Sequence, residues 1–320
     1  MRKLLVLAAS TALALGAAAC GDDDDSSGSA STSEGGSELS GQVLIDGSST
    51  VAPLSEAAAE LFMQENPNVT VTVGTSGTGG GFEKFCNGET DISDASRAIS
   101  DDEIAMCEAN SIAFEELSVA NDAMTVVVNP ENPVNCMTVE QLNQVWGPKS
   151  KVSSWSEIDG LDDAPDAELA LYGPGTDSGT FDYFTDAING EEGAQRTDYN
   201  NVGEDDNATV TGVSGDSGGM GYFGYSFYVE NEGELKALEI DGGDGCVAPS
   251  AEATQDGTYT PLGRQLFIYP SDKALQRPEV KAFLDFYIEN EATIAEQAGF
   301  IDLTDEQATE AQDKINALAG

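Results

Sequence analysis

From Gly41 onward, short apolar runs alternate with stretches whose apolar residues recur at helical spacing, the rhythm of an α/β chain. Residues 42–45 alternate and predict a strand that enters Asp46-Gly47-Ser48-Ser49-Thr50. Behind it, Pro53 suits a first helical turn, and Leu54, Ala57, Ala58, Leu61 and Phe62 share one helical face. Residues 69–73 predict a second strand, running into Gly74-Thr75-Ser76-Gly77-Thr78-Gly79-Gly80-Gly81, with a helix over 82–86. Ser100 with Glu103, and Thr138 with Gln141, have capping-box spacing for helices ending near Ala109 and Trp146. The unbroken apolar run 124–128 reads as a buried strand. Residues 169–172 read as another, followed by Gly173-Pro174-Gly175-Thr176-Asp177-Ser178-Gly179-Thr180 and a helix over 181–188. Residues 190–262 are loop-rich and hold many of the glycines, and Tyr222, Phe223, Tyr225, Phe227 and Tyr228 within them suit a half-buried strand, with a cleft wall as the alternative. A late strand over 265–269 and two amphipathic helices, over 280–288 and after the Thr304/Gln307 pair, close the chain.

The first forty residues are patterned differently. Arg2 and Lys3 precede an apolar run over 4–19, the arrangement of a secretory signal and short for a membrane span. The run ends Gly16-Ala17-Ala18-Ala19-Cys20-Gly21, which resembles a bacterial lipobox. Cleavage before Cys20 and lipidation of its thiol would anchor the chain to the outer face of the cell membrane; a soluble periplasmic product is the alternative. Residues 20–40, opening on Asp22 to Asp25 and rich in Ser and Gly, read as an acidic flexible tether. The other cysteines, Cys86, Cys107, Cys136 and Cys246, are an even set in an exported chain and predict two disulfides. Of three connectivities, a local Cys86–Cys107 loop with a long Cys136–Cys246 loop is the expected one. A metal site is the weaker reading, because there is no CxxC and no histidine.

Charge and composition then remove whole classes of function. The 320 residues carry 58 acids against 13 bases, a net charge of −45, which excludes nucleic acid as a partner. The absence of histidine excludes Ser-His-Asp and Cys-His catalysis and HExxH zinc sites. Gly215-Asp216-Ser217-Gly218-Gly219 copies a serine-protease nucleophile motif, but no histidine exists to act as its base. Gly173-x-Gly175 lacks the third glycine of a dinucleotide fingerprint, and Asp241-Gly242-Gly243-Asp244 lacks EF-hand spacing. No enzyme, cofactor or metal is expected.

What remains is one device used three times: a strand, a Ser/Thr/Gly loop, then a helix. The loops are Gly47-Ser48-Ser49-Thr50, Gly77-Thr78-Gly79-Gly80-Gly81 and Asp177-Ser178-Gly179-Thr180. At a helix N-terminus the first N–H groups lack intrahelical acceptors, and the macrodipole adds about half a positive charge, so the position suits an anion. Hydroxyls add donors without charge, and three converging termini would hold one small tetrahedral oxyanion without a cluster of bases. Taken singly, each loop would pass for an ordinary cap or turn. Arg97, after Asp91-Ile92-Ser93-Asp94-Ala95-Ser96, is one of two bases between Asp22 and Pro148 and has the planar fork that grips oxyanions; pairing with Asp101 or Asp102 is its alternative.

Asp46-Gly47-Ser48-Ser49-Thr50-Val51-Ala52-Pro53-Leu54 resembles the opening of periplasmic phosphate-binding proteins of the PstS/SphX type, as do the second glycine loop and residues 91–97. Residues 171–184 resemble that family's second-lobe signature, particularly in its SphX-like branch. The resemblance implies a two-lobed type II periplasmic-binding-protein fold with two crossover segments, residues 41–122 plus 262–320 forming one lobe and 123–261 the other. It also implies a monomer that binds phosphate in the cleft and delivers it to an ABC permease. Position by position it assigns ligand contacts to Thr50, Val51, Thr78, Ser178, Gly179 and Thr180, and Ser49 and Ser96 are expected to join them in binding phosphate. Two positions depart from the family pattern: Ser96 stands where a proton-accepting Asp is usual, and Pro174 where an Arg is usual. Arg97 is therefore expected to supply the cation, and Asp94 or Asp177 to accept the proton of hydrogen phosphate. Sulfate or molybdate is the alternative ligand. A hydrolase using Ser178 as nucleophile is the alternative from another class.

Overall fold

The computed structural model describes residues 39–320; the signal, Cys20 and nearly all of the tether lie outside the described residues. Strand β1 (Gly41–Gly47) leads into helix α1 (Ala52–Glu65), then β2 (Val69–Gly74), α2 (Thr78–Cys86), β3 (Ile92–Ala95) and α3 (Asp101–Ala109). The long β4 (Leu117–Val128) is followed by β5 (Cys136–Thr138), α4 (Val139–Trp146), β6 (Ala170–Gly173), α5 (Gly179–Asn189), β7 (Asn200–Asn201) and α6 (Asp206–Gly215). Next come β8 (Gly219–Gly224), α7 (Tyr225–Glu230), β9 (Lys236–Ala237), β10 (Glu239–Asp241), β11 (Cys246–Val247) and α8 (Ala251–Gln255). The chain ends with β12 (Gly263–Pro270), α9 (Pro278–Glu289), α10 (Glu291–Ala298) and α11 (Asp305–Ala319).

The sheet order β2-β1-β3-β12-β4-β8-β6-β7 carries the functional logic. Strands β2, β1 and β3 are parallel, so the chain leaves β1 on one side through α1 and returns on the other through α2. In the second half β8, β6 and β7 are likewise parallel, with β6 in the middle. Each half thus has a switch point at its first strand, and open α/β sheets take their ligands outside the carboxyl ends of strands at such points. Two strands join the halves. β4 pairs antiparallel with β12 through residues 117–123 and with β8 through 124–128, while β12 pairs with β3 on its other edge. Two lobes linked by two crossover strands follow.

Each half has its own core. Val43, Ile45, Leu54, Phe62, Phe283 and Tyr287 pack beneath α1, α9 and α11, whereas Trp146, Trp155, Phe184 and Tyr222 centre the other. Phe184 stacks on Tyr222 with ring centroids 3.8 Å apart, and Trp146 meets both edge-on. Cys86–Cys107 joins the end of α2 to α3, and Cys136–Cys246 staples β5 to β11 beside β10. The boxes at Ser100, Thr138 and Thr304 each form with their expected Glu or Gln partner. Three expectations change. α2 begins at Thr78, inside the glycine run; the aromatic run breaks at Gly224 into a strand and a helix; and residues 190–262 contain α6, α7 and α8 besides their loops. Among the described residues no helix is long and apolar enough to cross a membrane.

Candidate functional site

The carboxyl ends of β1, β2 and β3 are drawn together by backbone contacts. Ser48 N donates to Asp94 O at 2.9 Å, and Gly77 N donates to Gly47 O at 2.8 Å. Glycine is required where the loops touch. A Cβ on Gly81 would lie 2.5 Å from Gly47 Cα, and one on Gly47 would lie 2.1 Å from Asp94 O. Asp46 ties the cluster laterally, accepting from Ser76 and, at 2.6 Å, from Lys84 Nζ. Burial opposes its ionisation, but those donors outweigh burial and hold its carboxyl below the usual range. The start of α2 is joined to the β3 loop by a 3.1 Å contact between Thr78 Oγ1 and Ser96 Oγ.

The second half meets this cluster across a cleft of about 750 Å³. Gly179, the first residue of α5, approaches so closely that an added Cβ would lie 2.9 Å from Thr50 Oγ1. The N-terminus of α5 and the loop that starts α1 are therefore neighbours. No side chain caps α1, α2 or α5, although their N-terminal loops are rich in Ser and Thr. Helices α3, α4, α8 and α11 take Ser or Thr caps, whereas α6, α7, α9 and α10 also lack a side-chain cap but do not begin at the cleft. The hydroxyl-rich loops at the cleft thus leave their helix ends uncapped, the condition under which an N-terminus can receive an anion.

Of the residues expected at the site, Ser49, Thr50, Thr78, Ser96, Arg97 and Gly179 line the cleft. Val51 is fully buried at the start of α1, and Ser178 is buried as the residue before α5. Thr180 is half-buried in the first turn of α5, outside the cleft lining, and Asp177 is exposed in the preceding loop. The structure puts Asp94 elsewhere. Its carboxyl is buried under α1, with Oδ1 accepting from Ser55 Oγ at 2.9 Å and Oδ2 lacking a hydrogen-bond partner. Burial pushes its pKa up to about 8; the Ser55 hydrogen bond opposes the rise, and the Asp46 and Glu56 charges add to it. Arg97 stands at the rim, where Nη1 and Nη2 donate to the two carboxylate oxygens of Glu103 at 2.9 and 2.8 Å. That hydrogen bond, before anything else, raises the Arg97 pKa.

The cleft also contains residues that sequence reasoning missed. Arg264, from β12, lies on its floor, ion-paired with Asp122 of β4 at 3.0 Å and stacked 3.5 Å from the Tyr183 ring centroid. Asp182, Asp186 and Glu192 form an acidic wall beside it. Burial, followed by the Glu192 charge, raises the Asp182 pKa, and Arg264 opposes that rise. The arrangement offers uncapped N–H groups, hydroxyls and a guanidinium edge to a small anion. It shows no paired general acid and base around a nucleophile among the described residues.

Residues 32–291 match the family model described as a PBP superfamily domain. Protein SphX of Synechococcus elongatus is 46% identical over 278 residues, which span 86% of this chain and 81% of that protein. The phosphate-binding protein PstS of Staphylococcus saprophyticus is 38% identical over 283 residues, 88% of this chain and 86% of its own. A crystal structure of a possible phosphate binding protein from Planctomyces limnophilus superposes with a TM-score of 0.82 at 44% identity, covering 88% of this chain and 99% of that one. PstS from Borrelia burgdorferi, at 24% identity and a TM-score of 0.65, shares the fold. With the family model covering most of its length and relatives at these identities, the chain belongs to the PBP superfamily, in the group of SphX and PstS.

Proposed function

We propose that the protein binds one phosphate ion in its interlobe cleft and delivers it to the permease of an ABC phosphate importer, without chemistry of its own. The observation that carries this reading is the contact between Thr50 and Gly179, which sets uncapped helix ends from both halves against one space. Thr50, Thr78 and Ser96 supply hydroxyls there, and the N-terminal turns at Val51, Thr78 and Gly179–Thr180 supply backbone donors. A surface this acidic repels phosphate at long range, so recognition has to be local and out of solvent. The cleft is far larger than one tetrahedral oxyanion. Closure of residues 41–122 with 262–320 against 123–261 would bring the two sets of donors onto the anion and present a changed surface to the permease.

Phosphate binding in the PstS of Staphylococcus saprophyticus and the likeness to SphX support the choice of phosphate over other oxyanions. We infer that Cys20 carries the lipid anchor and that the tether holds a monomeric binding domain near the membrane's outer face, from the lipobox-like sequence alone. Isothermal titration of the purified protein with phosphate, sulfate and molybdate tests the function. One phosphate per chain with no heat from sulfate is expected; preference for sulfate or molybdate would replace phosphate as the ligand. Turnover of a chromogenic phosphate ester that disappears in Ser178→Ala would instead establish a hydrolase.

A further inference from the structure

Two arginines line the cleft, and their surroundings differ in a way that assigns them different work. Arg97 is half-exposed at the rim, with Nη1 and Nη2 on the two Glu103 oxygens and Nη1 also on Ala98 O, so the donors it has left face solvent. Glu103 in turn accepts from Ser100 N and Ser100 Oγ at 2.9 and 2.8 Å, so this arginine closes the capping box of α3. Arg264 is mostly out of solvent, with its side chain 18% exposed and that of Asp122 12% exposed. Its contacts, too, leave two donors open, but here they lie out of solvent. Nε and Nη2 both reach a single oxygen, Asp122 Oδ2, at 3.1 and 3.0 Å, and Nη1 reaches Ser96 O only at 3.4 Å. A guanidinium carries five N–H donors, so Nη1 and Nη2 each keep a second hydrogen for an incoming oxyanion. The Tyr183 ring covers one face of the group, which directs further hydrogen bonds to its edge.

Arg264 also stands where the site's elements meet. It faces Asp122 across the two crossover strands, and its guanidinium touches the Ser96 carbonyl after β3 and the Tyr183 ring on α5. Ser96 is the partner of Thr78 at the start of α2, and α5 is the helix whose first residue abuts Thr50. We propose that Arg264, held by Asp122, is the cation that contacts the bound phosphate, and that Arg97 pins α3 instead. The assignment rests on the phosphate reading above and supplies what it lacks, a guanidinium to replace the one absent at Pro174. Asp122 keeps Arg264 oriented and partly neutralised while the cleft is empty, and the anion adds to that pair rather than displacing it.

Calorimetric titration with inorganic phosphate compares the wild-type protein with Arg264→Lys, Arg264→Gln/Asp122→Asn and Arg97→Gln, with melting temperatures alongside. The double variant removes the pair together, so no buried carboxylate is left alone. Hydrogen bonds to charged groups are strong enough for about a tenfold to hundredfold change in affinity. The double variant is expected to lose at least tenfold. Arg264→Lys, which keeps the charge without the fork, is expected to lose less, and Arg97→Gln to stay within about threefold while melting earlier. Wild-type binding that persists in the double variant, or a larger loss in Arg97→Gln, overturns the assignment. Silence of the wild-type protein toward phosphate would instead refute the function on which it rests. A double variant that fails to melt cooperatively leaves the decision to Arg264→Lys, where unchanged affinity counts against the fork.

Discussion

Replacing Asp94 by asparagine should change how stability depends on pH more than it changes stability itself. Asp94 is fully buried under α1, and the groups that act on it are Ser55, Asp46, Glu56 and, on α9, Tyr287. Burial in low dielectric raises its pKa from 3.8 to about 8. Below about pH 4 the folded and unfolded chains both hold the proton. Between there and about pH 8 only the folded chain holds it, so each pH unit of increase removes about 1.4 kcal/mol of stability. Above the folded value the loss is complete and the slope ends. In Asp94→Asn the new side chain would keep an oxygen for Ser55 and place an uncharged amide where the unpartnered Oδ2 now lies, as the protonated acid does. Urea unfolding of both proteins at half-unit steps from pH 4 to 9 is the assay. The variant should be close to wild type near pH 4.5 and clearly more stable at pH 8, with the gap widening in between and the other carboxylates cancelling. A gap that stays flat from pH 5 to 8 would refute the buried, protonated reading of Asp94.

Other consequences are more local. Gly81→Ala gains helix propensity of about 1 kcal/mol but sets a methyl 2.5 Å from Gly47 Cα, where overpacking costs about 1–3 kcal/mol. Denaturant midpoints should therefore fall modestly, and phosphate affinity should fall with them because the β1 and β2 loops are forced apart. Converting Cys136 and Cys246 together to alanine removes a crosslink 110 residues long and should destabilise by about 2–5 kcal/mol, read from urea midpoints with phosphate affinity largely kept. Thr304→Ala should cost about 1 kcal/mol by losing the cap of α11, with no effect on binding, since that helix lies outside the cleft.

Much of this molecule was legible in its sequence, and the illegible parts have physical reasons. The strands β1, β2, β6 and β12 show as apolar alternation or runs, and the three hydroxyl loops show because glycine, serine and threonine are concentrated between a strand and a helix. The first turn of α2 was hidden by its glycines, whose weak helix propensity is overridden by packing against Gly47. Helix α10 follows α9 after the single residue Asn290, so the sequence offers no loop to separate them. Asp94 sits in a four-residue strand buried at every position, so alternation cannot say which face its carboxyl takes. Arg264 and Asp122 are 142 residues apart, and only the antiparallel register of β4 with β12 sets them opposite each other. A lone arginine at the head of a strand carries no local signal for that, whereas Arg97 stands directly after a recognisable motif.

The central claim is that one phosphate is held by helix ends from both halves at once. Backbone amide chemical shifts, followed as phosphate is added to isotope-labelled protein, test it at the level of single N–H groups. The largest changes should fall together at Thr50 and Val51, at Thr78 and Gly79, and at Gly179 and Thr180, saturating at one equivalent. Changes confined to one of these three termini, or centred elsewhere on the protein, would contradict it.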